Sequence, residues 1–200
     1  ISEYDSKERD AYYTKIFNIY MTILLSGIIA LLPITKFIII YFMDQSYQEA
    51  SLFVGLLYLS SVFNAFAGFY GTGYLSTKKT AGALTTTIWG ASVNIILTFA
   101  LINTIGLFAA ALGSMIGNAT IWLIRIANTR KYFNIKIKKN ILFFLLLSSV
   151  VAMIAVNKAD FIMLVLLEIA ACVFFVVINK DLIVPIICKL LNLKFVKKSL

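Results

Sequence analysis

Histidine is absent from this 200-residue sequence, and carboxylates are few: nine Asp and Glu stand against 18 Lys and Arg. The lack of histidine removes the commonest general base and the commonest transition-metal ligand. Four of the nine carboxylates fall within the first ten residues, and the others are isolated. The sequence also contains no nucleotide-binding glycine loop, serine elbow or cysteine cluster. We therefore expect a chain that is not an enzyme and that needs no metal and no cofactor.

Cysteine is nearly absent as well. Cys172 falls within a long apolar stretch and Cys188 within a basic tail, so the two residues do not indicate a disulfide framework.

The first segment, ISEYDSKERDAYYTK, has no initiator Met and no signal-peptide pattern. We expect the sequence to be the C-terminal part of a longer membrane protein, entered through a cytoplasmic loop.

Long apolar runs dominate what is present, and 61% of the residues are hydrophobic. A helix needs roughly 20 apolar residues to cross a hydrocarbon core of about 30 Å, so the charge-free run from Thr80 to Ile124 must hold two spans. The turn-like cluster Asn103 to Gly106 places the reversal. No barrel-like alternation occurs, so the sequence predicts an all-α transmembrane bundle. The six predicted spans are Phe17 to Phe42, Leu52 to Tyr74, Leu84 to Ile102, Leu107 to Ile126, Ile141 to Val156 and Phe161 to Ile178.

The basic residues predict the orientation. When alternate loops are assigned to one side, 16 of the 18 Lys and Arg fall together, and only Lys36 and Lys158 remain for the other side. The positive-inside rule then places both ends in the cytoplasm. The net charge of +9 favours contact with anionic membrane lipids, and we expect no nucleic-acid partner. We divide the chain into a cytoplasmic loop (1–15), a six-span portion (16–179) and a basic amphipathic cytoplasmic tail (180–200).

Small and weakly polar residues form stripes on three successive spans. Tyr58 and Asn64 belong to the stripe of the second span, Asn94 to that of the third, and Asn118 to that of the fourth, where Gly113 and Gly117 form a G-x-x-x-G motif. Such stripes mark helix packing in membranes, and this is the simpler interpretation. The alternative is a polar cavity in which these side chains hydrogen-bond sugar hydroxyls or water.

Glu168 and Lys36 are charged residues within predicted spans and are candidate functional residues. Glu168 sits near the middle of the sixth span, where a charge costs roughly 2.5 to 3.5 kcal/mol unless it is paired or hydrated. It is a candidate proton or cation site, or a structural carboxyl. Lys36 follows Pro33, which cannot donate a hydrogen bond to the Ile29 carbonyl, so we expect a kink there. Lys36 is a candidate for binding an anionic head group. The alternative is that its side chain extends to the outer membrane interface.

The order of three segments resembles a known family. The segments are IIIYFMDQSYQEAS at the end of the first span, then FYGTGYLSTKKT, then ASVNIILTFALINTIGLFAAALGSMIGN. In this order they are similar to the C-terminal part of bacterial O-antigen and capsule-repeat flippases, polysaccharide transporters of the multidrug/oligosaccharidyl-lipid/polysaccharide exporter superfamily.

The resemblance implies two helical lobes around a cavity that opens alternately to each side of the cytoplasmic (inner) membrane. The substrate would be an undecaprenyl-diphosphate-linked oligosaccharide, moved outward for lipopolysaccharide or capsule assembly. This chain would supply the second lobe, with polysaccharide polymerase machinery as a further partner. In this family the diphosphate is met largely by basic residues of the first lobe, and Lys36 is the candidate here.

Other functions remain open at this point. A drug or cation antiporter of the same superfamily would share the fold, but it should gather ionisable residues in its cavity, where Glu168 stands nearly alone. A membrane glycan polymerase or acyltransferase should have a sizeable external loop or embedded His and carboxylate residues. A purely structural membrane subunit is a further alternative.

Overall fold

The computed structural model describes residues 6–76, 78, 80–185 and 188. These residues contain no strand. Their elements are α1 (Ser6–Phe42), a 3-10 helix (Gln45–Leu52), α2 (Val54–Ser76), α3 (Ala81–Ile105), α4 (Phe108–Thr129), α5 (Lys139–Lys158) and α6 (Phe161–Ile178). Each of the six α-helices is long and apolar enough to cross a membrane. The predicted all-helical class is confirmed, and each predicted span coincides with a helix of membrane-crossing length and composition.

Helix α1 is longer than the first predicted span. Its 37 residues extend about 55 Å at 1.5 Å per residue, whereas the hydrocarbon core of a membrane is about 30 Å thick. Residues 6–15, which we expected to form a loop, are helical. Lys, Glu, Arg and Ala in this segment favour a helix, and Glu8 in the first turn complements the helix dipole. Helix α1 is therefore long enough for its first turns to lie outside the membrane core.

The connection between α1 and α2 is ordered. It contains the 3-10 helix, and the Asp44 carboxylate at its start accepts hydrogen bonds from the Ser46 main-chain N–H and from the Ser46 hydroxyl, both at 3.0 Å. These bonds stabilise the charged form and hold the pKa of Asp44 below its ordinary value. A capped short helix thus replaces an irregular loop.

The reversal between α3 and α4 occurs where the sequence predicts it. Gly106 has a φ of 56°, a left-handed conformation that glycine adopts at little cost. Its N–H donates to the Ile102 carbonyl at 3.0 Å and closes the last turn of α3. Helix α4 then begins at Phe108.

The helices pack around two central members. Helix α1 contacts α2, α5 and α6, and α4 contacts both α2 and α3. The core between α1, α2 and α4 is strongly aromatic, with the Phe17 ring 5.4 Å from Phe66 and the Phe66 ring 5.2 Å from Trp122, between centroids. Phe133, from the α4–α5 connection, is buried in the same cluster. These packed rings connect α1 to α2 and α2 to α4.

Tertiary contacts bring the lysine-rich segments to one end of the bundle. Asn18 of α1 bonds the main chain of Lys136 and Lys138, and Asn179, which follows α6, bonds Ser26 of α1. We call this the basic end, formed by the first four turns of α1, the α4–α5 connection and residues 178–182. Residues 180–185 continue as helix. Most of the predicted tail at 180–200 lies outside the described residues.

Candidate functional site

Lys36 is buried at the end opposite the basic end. Only 8% of the residue is exposed, and its ammonium group donates to the carbonyl oxygens of Val156 at 2.6 Å, Asn157 at 3.0 Å and Ala159 at 3.2 Å. The last carbonyls of a helix have no partner within it, so Lys36 caps α5 from α1. An ammonium group has three donors, and all three are used. An anionic head group would have to displace these carbonyls to reach it.

Tyr58 connects α2 to α1 near the same end. Its hydroxyl lies 2.6 Å from the Thr35 hydroxyl, and Thr35 also donates to the Leu31 carbonyl of its own helix at 2.8 Å. Because Thr35 uses its proton on the backbone, the Tyr58 hydroxyl is the donor of the shared bond. Tyr58 is half-buried in this contact.

Asn118 belongs to a polar cluster between α2 and α4. Its amide donates to the Ser60 hydroxyl at 2.9 Å and to the Ser60 carbonyl at 3.3 Å. The Ser60 hydroxyl also lies 2.9 Å from that of Ser114. Hydroxyl and amide groups that bond across helices are typical glue between membrane spans. In this arrangement Asn118 joins two helices of the chain.

Asn94 lies at a close approach of α3 and α4. It accepts a hydrogen bond from Thr98 at 3.2 Å within its own helix. A Cβ added to Gly117 would stand 2.7 Å from the Gly90 carbonyl oxygen and 3.0 Å from the Asn94 Cβ, and one added to Gly113 would stand 2.8 Å from Asn94 Oδ1. The G-x-x-x-G stripe of α4 therefore packs against α3, in agreement with the packing interpretation.

Asn64 has a different environment from the other asparagines. It is exposed on α2 in line with Ser61, Gly68 and Thr72, which are also exposed. Ser61 and Thr72 bond only the backbone of their own helix, and a Cβ added to Gly68 would meet no atom within 4 Å. We call these four residues the polar face of α2. No other described residue covers it.

Glu168 is half-buried near the middle of α6. Its Oε1 accepts a hydrogen bond from the Cys172 thiol at 3.1 Å, one turn further along the helix. Its Oε2 is buried and finds no hydrogen-bond partner within the part of the chain that the structure describes. A buried carboxyl oxygen without a partner is costly, so it marks a place for a proton, a cation or a contact from outside these residues.

Sequence analysis missed the role of Arg125, because it treats this residue only as one of the 16 basic residues assigned to one side of the membrane. Arg125 lies within α4 and reaches α2 and α3 at once. Its Nη1 donates to the Ala67 carbonyl at 2.8 Å and its Nε to the Thr86 hydroxyl at 3.0 Å. Its Nη2 donates to the Thr87 hydroxyl at 3.1 Å and to the Ala83 carbonyl at 3.3 Å. One guanidinium group thus joins three spans through neutral acceptors.

A weak sequence signal for this junction exists at Gly71. A Cβ added there would stand 3.0 Å from Arg125 Nη1, so the small residue on α2 makes room for the guanidinium group. In the sequence alone, glycine at that position is equally typical of ordinary helix packing.

A wide cavity of about 1150 Å³ opens at the basic end. Four lysines line it: Lys7 and Lys15 from α1, and Lys136 and Lys138 from the α4–α5 connection. All four are exposed, and none forms an ion pair within the described ranges. We call this space the basic cavity. The six residues predicted as candidate sites do not line it.

Asn18 fixes the wall of the basic cavity. It is 7% exposed, and its amide donates to the Lys136 carbonyl at 3.0 Å while its Oδ1 accepts from the Lys138 N–H at 2.9 Å. The Lys136 N–H donates to the Thr14 hydroxyl at 3.1 Å. Two α1 side chains therefore hold segment 134–138, which has no regular secondary structure, alongside the helix. The backbone carrying Lys136 and Lys138 is fixed.

The structure distributes the predicted residues over several contacts. Lys36 lies between α1 and α5, Tyr58 between α1 and α2, Asn118 between α2 and α4, and Asn94 between α3 and α4. Glu168 stands on α6. Of the four stripe residues, only Asn64 is exposed with a free polar group. The other three are partly buried by residues distant in sequence, which the linear pattern does not reveal.

Comparison with known proteins finds no matching family model, no matching curated protein and no matching solved structure. A function for this chain is therefore inferred from its residues and their geometry.

Proposed function

We propose that this chain is the second lobe of a two-lobe transporter that flips an undecaprenyl-diphosphate-linked oligosaccharide repeat unit across the bacterial cytoplasmic membrane. The product would be used for O-antigen, lipopolysaccharide or capsule assembly, and the substrate would leave chemically unchanged. The observation that carries the proposal is the polar face of α2, which is exposed within a membrane-spanning helix.

The polar face has the size and chemistry of a sugar path. From Ser61 to Thr72 it extends about 16 Å along the helix, roughly half of a hydrocarbon core. Amide and hydroxyl groups exchange hydrogen bonds with sugar hydroxyls, whereas a sugar in bare hydrocarbon would lose several kcal/mol for each unpaired group. A shielded polar strip on a spanning helix is what such a substrate requires.

Other exposed faces of the bundle differ from this one. Helix α3 exposes Ile88, Ile95 and Phe99, and α6 exposes Ile162, Leu166 and Val173. Large apolar side chains are suited to lipid. The contrast supports a polar environment for α2, which a first lobe facing it across a cavity would provide.

Outward movement of an anionic diphosphate also agrees with the proposed orientation. With the basic end in the cytoplasm, each negative charge moved outward gains about 2.3 kcal/mol per 100 mV of an inside-negative potential. Coupling to an ion gradient is therefore compatible with the proposal but not needed for it.

A second candidate is a drug or cation antiporter of the same architecture. Glu168 favours it, since its buried Oε2 lacks a partner among the described residues and could exchange a proton in the bilayer. Glu168→Gln keeps the shape of the side chain but removes the ionisable group. The antiporter candidate requires that transport by this variant lose its dependence on pH or cations, and unchanged dependence would exclude Glu168 as the coupling site.

Deleting the gene tests the flippase proposal. We expect surface polysaccharide to be lost, with intact repeat units still attached to their lipid carrier on the cytoplasmic side, because synthesis continues while translocation stops. Single, unpolymerised repeats at the outer surface of the deletion strain would show that flipping proceeds without this protein, and a polymerase role would then replace the proposal.

A further inference from the structure

The basic cavity combines a cationic rim with an apolar floor. Lysines surround its mouth, and Ile19, Ile141, Phe144 and Ile178 line it further toward the membrane-spanning part of the bundle. The change is visible along α5, where Lys138 just before the helix, then Ile141, then Phe144 line the cavity in turn. Apolar lining residues contribute nothing to the binding of a soluble anion. A lipid, with a charged head and an apolar chain, matches both parts.

The charge of the rim favours an anion. The four lysines share the cavity lining with two carboxylates, Asp10 and Asp181. The Asp10 carboxylate already lies 3.6 Å from the Arg9 guanidinium group. The lysines are therefore in excess. Basic pockets between membrane helices at the cytoplasmic side are typical sites for phosphate-bearing head groups, and a lysine ammonium serves as a point charge for phosphate.

Polar groups on the cavity wall add a second, independent indication. Asn179 lines the cavity and is 3% exposed. Its amide donates to Ser26 and to the Phe175 carbonyl, but its buried Oδ1 has no hydrogen-bond partner within the described part of the chain. A buried amide oxygen left open in this way requires a donor, such as a hydroxyl of a lipid head group or of a water held beneath it.

The position of the cavity places it at head-group depth. It lies beside the first four turns of α1, from Lys7 to Thr22, and α1 is about 25 Å longer than a hydrocarbon core. Helices α5 and α6 pack mainly against α1, and below the cavity their Phe144 and Phe174 rings approach to 6.2 Å. An acyl or prenyl chain can therefore follow the apolar floor into the bilayer.

We infer that the basic cavity binds the anionic, phosphate-bearing head group of a membrane lipid, with the lysines on the phosphate oxygens and the lipid chain along Ile141 and Phe144. The chemistry is shared by an anionic phospholipid and by a polyprenyl diphosphate. The inference needs only lipid binding, so it stands or falls separately from the proposed transport.

A binding titration on the full-length protein tests this inference. A single cysteine at the exposed cavity residue Asn134, with all other cysteines replaced, carries an environment-sensitive fluorophore in detergent solution. The probes are mixed micelles of phosphatidylglycerol, undecaprenyl diphosphate or zwitterionic phosphatidylcholine, and inorganic pyrophosphate. We expect saturable binding of the first two, with phosphatidylcholine and pyrophosphate at least about tenfold weaker.

Matched variants separate the cavity from general surface charge. Lys136→Gln with Lys138→Gln should weaken lipid binding at least about tenfold, because two rim charges are lost. Lys139→Gln with Lys180→Gln removes the same charge from exposed residues that do not line the cavity and should change the Kd less than about threefold. Unchanged elution volume and Tm verify folding in both pairs.

Each outcome decides a part of the inference. Equal effects of the two pairs, or phosphatidylcholine binding as tightly as phosphatidylglycerol, would overturn the site. Pyrophosphate binding as tightly as the lipids would overturn its assignment to a lipid. A preference of tenfold or more for undecaprenyl diphosphate over phosphatidylglycerol would support the inference with the lipid carrier as ligand, and equal affinities would support it with bulk anionic lipid.

Discussion

The Lys36 ammonium group lies 2.6 Å from the main-chain oxygen of Val156, 120 residues further along the chain. Lys36 also donates to the carbonyls of Asn157 and Ala159, so a side chain of α1 caps the C-terminal end of helix α5. A basic residue that sequence analysis places near the outer interface thus holds two helices together.

Replacing Lys36 with Met should destabilise the protein. The change keeps most of the length of the side chain but removes the ammonium donor from three carbonyls, of which that of Val156 retains the Ala159 N–H at 3.2 Å. A hydrogen bond to a charged group contributes about 1.5 to 3 kcal/mol. We expect Lys36→Met to lower the Tm of the purified protein by several degrees. Lys158→Met is the control, since Lys158 is exposed at the same end and loses the same charge. Similar Tm values for the two variants would contradict the capping role.

Glycine substitutions should separate the packed stripe from the polar face. In Gly117→Ala the new Cβ would stand 2.7 Å from the Gly90 carbonyl oxygen, so the α3 and α4 backbones must move apart. We expect a clear loss of Tm. Gly68→Ala meets no atom within 4 Å, and Ala favours a helix over Gly by up to about 1 kcal/mol, so its Tm should stay equal or rise. A Gly117→Ala protein as stable as the wild type would contradict the close approach.

Cysteine labelling in intact cells should establish the orientation. We place single cysteines at Ser46, Thr80, Asn134 and Asp160 in a background without other cysteines. All four positions are exposed in the structure. A membrane-impermeant reagent should label only Ser46 and Asp160, because the lysine-rich connections are expected in the cytoplasm. External labelling at Asn134 would reverse the orientation.

The spans were predictable because a continuous apolar run of sufficient length has one stable outcome in a membrane. The reversal at Gly106 and the packing of Gly113 and Gly117 were predictable for similar reasons, since each depends on residues close in sequence. The roles of Lys36 and Arg125 were not. Their partners lie 120 and about 40 to 60 residues away, and a basic residue near a span end has the same local pattern whether it reaches inward or outward.

The basic cavity was also not predictable, for a related reason. Its lysines were visible in the sequence, but as a topology signal they required only a shared side of the membrane. The hydrogen bonds from Thr14 and Asn18 to the backbone at Lys136 and Lys138 place those lysines beside α1, and these bonds span about 120 residues.

The polar face of α2 is tested most directly by transport of a lipid-linked oligosaccharide into proteoliposomes containing the full-length protein. Asn64→Leu and Ser61→Leu each replace an exposed polar group of that face, whereas the control Thr85→Leu replaces a hydroxyl that is exposed on α3 and bonds only its own helix. We predict that the two α2 variants lower the initial rate at least about tenfold at equal incorporation, and that Thr85→Leu changes it less than about twofold. Equal rates in all three variants and the wild type would contradict a substrate path along α2.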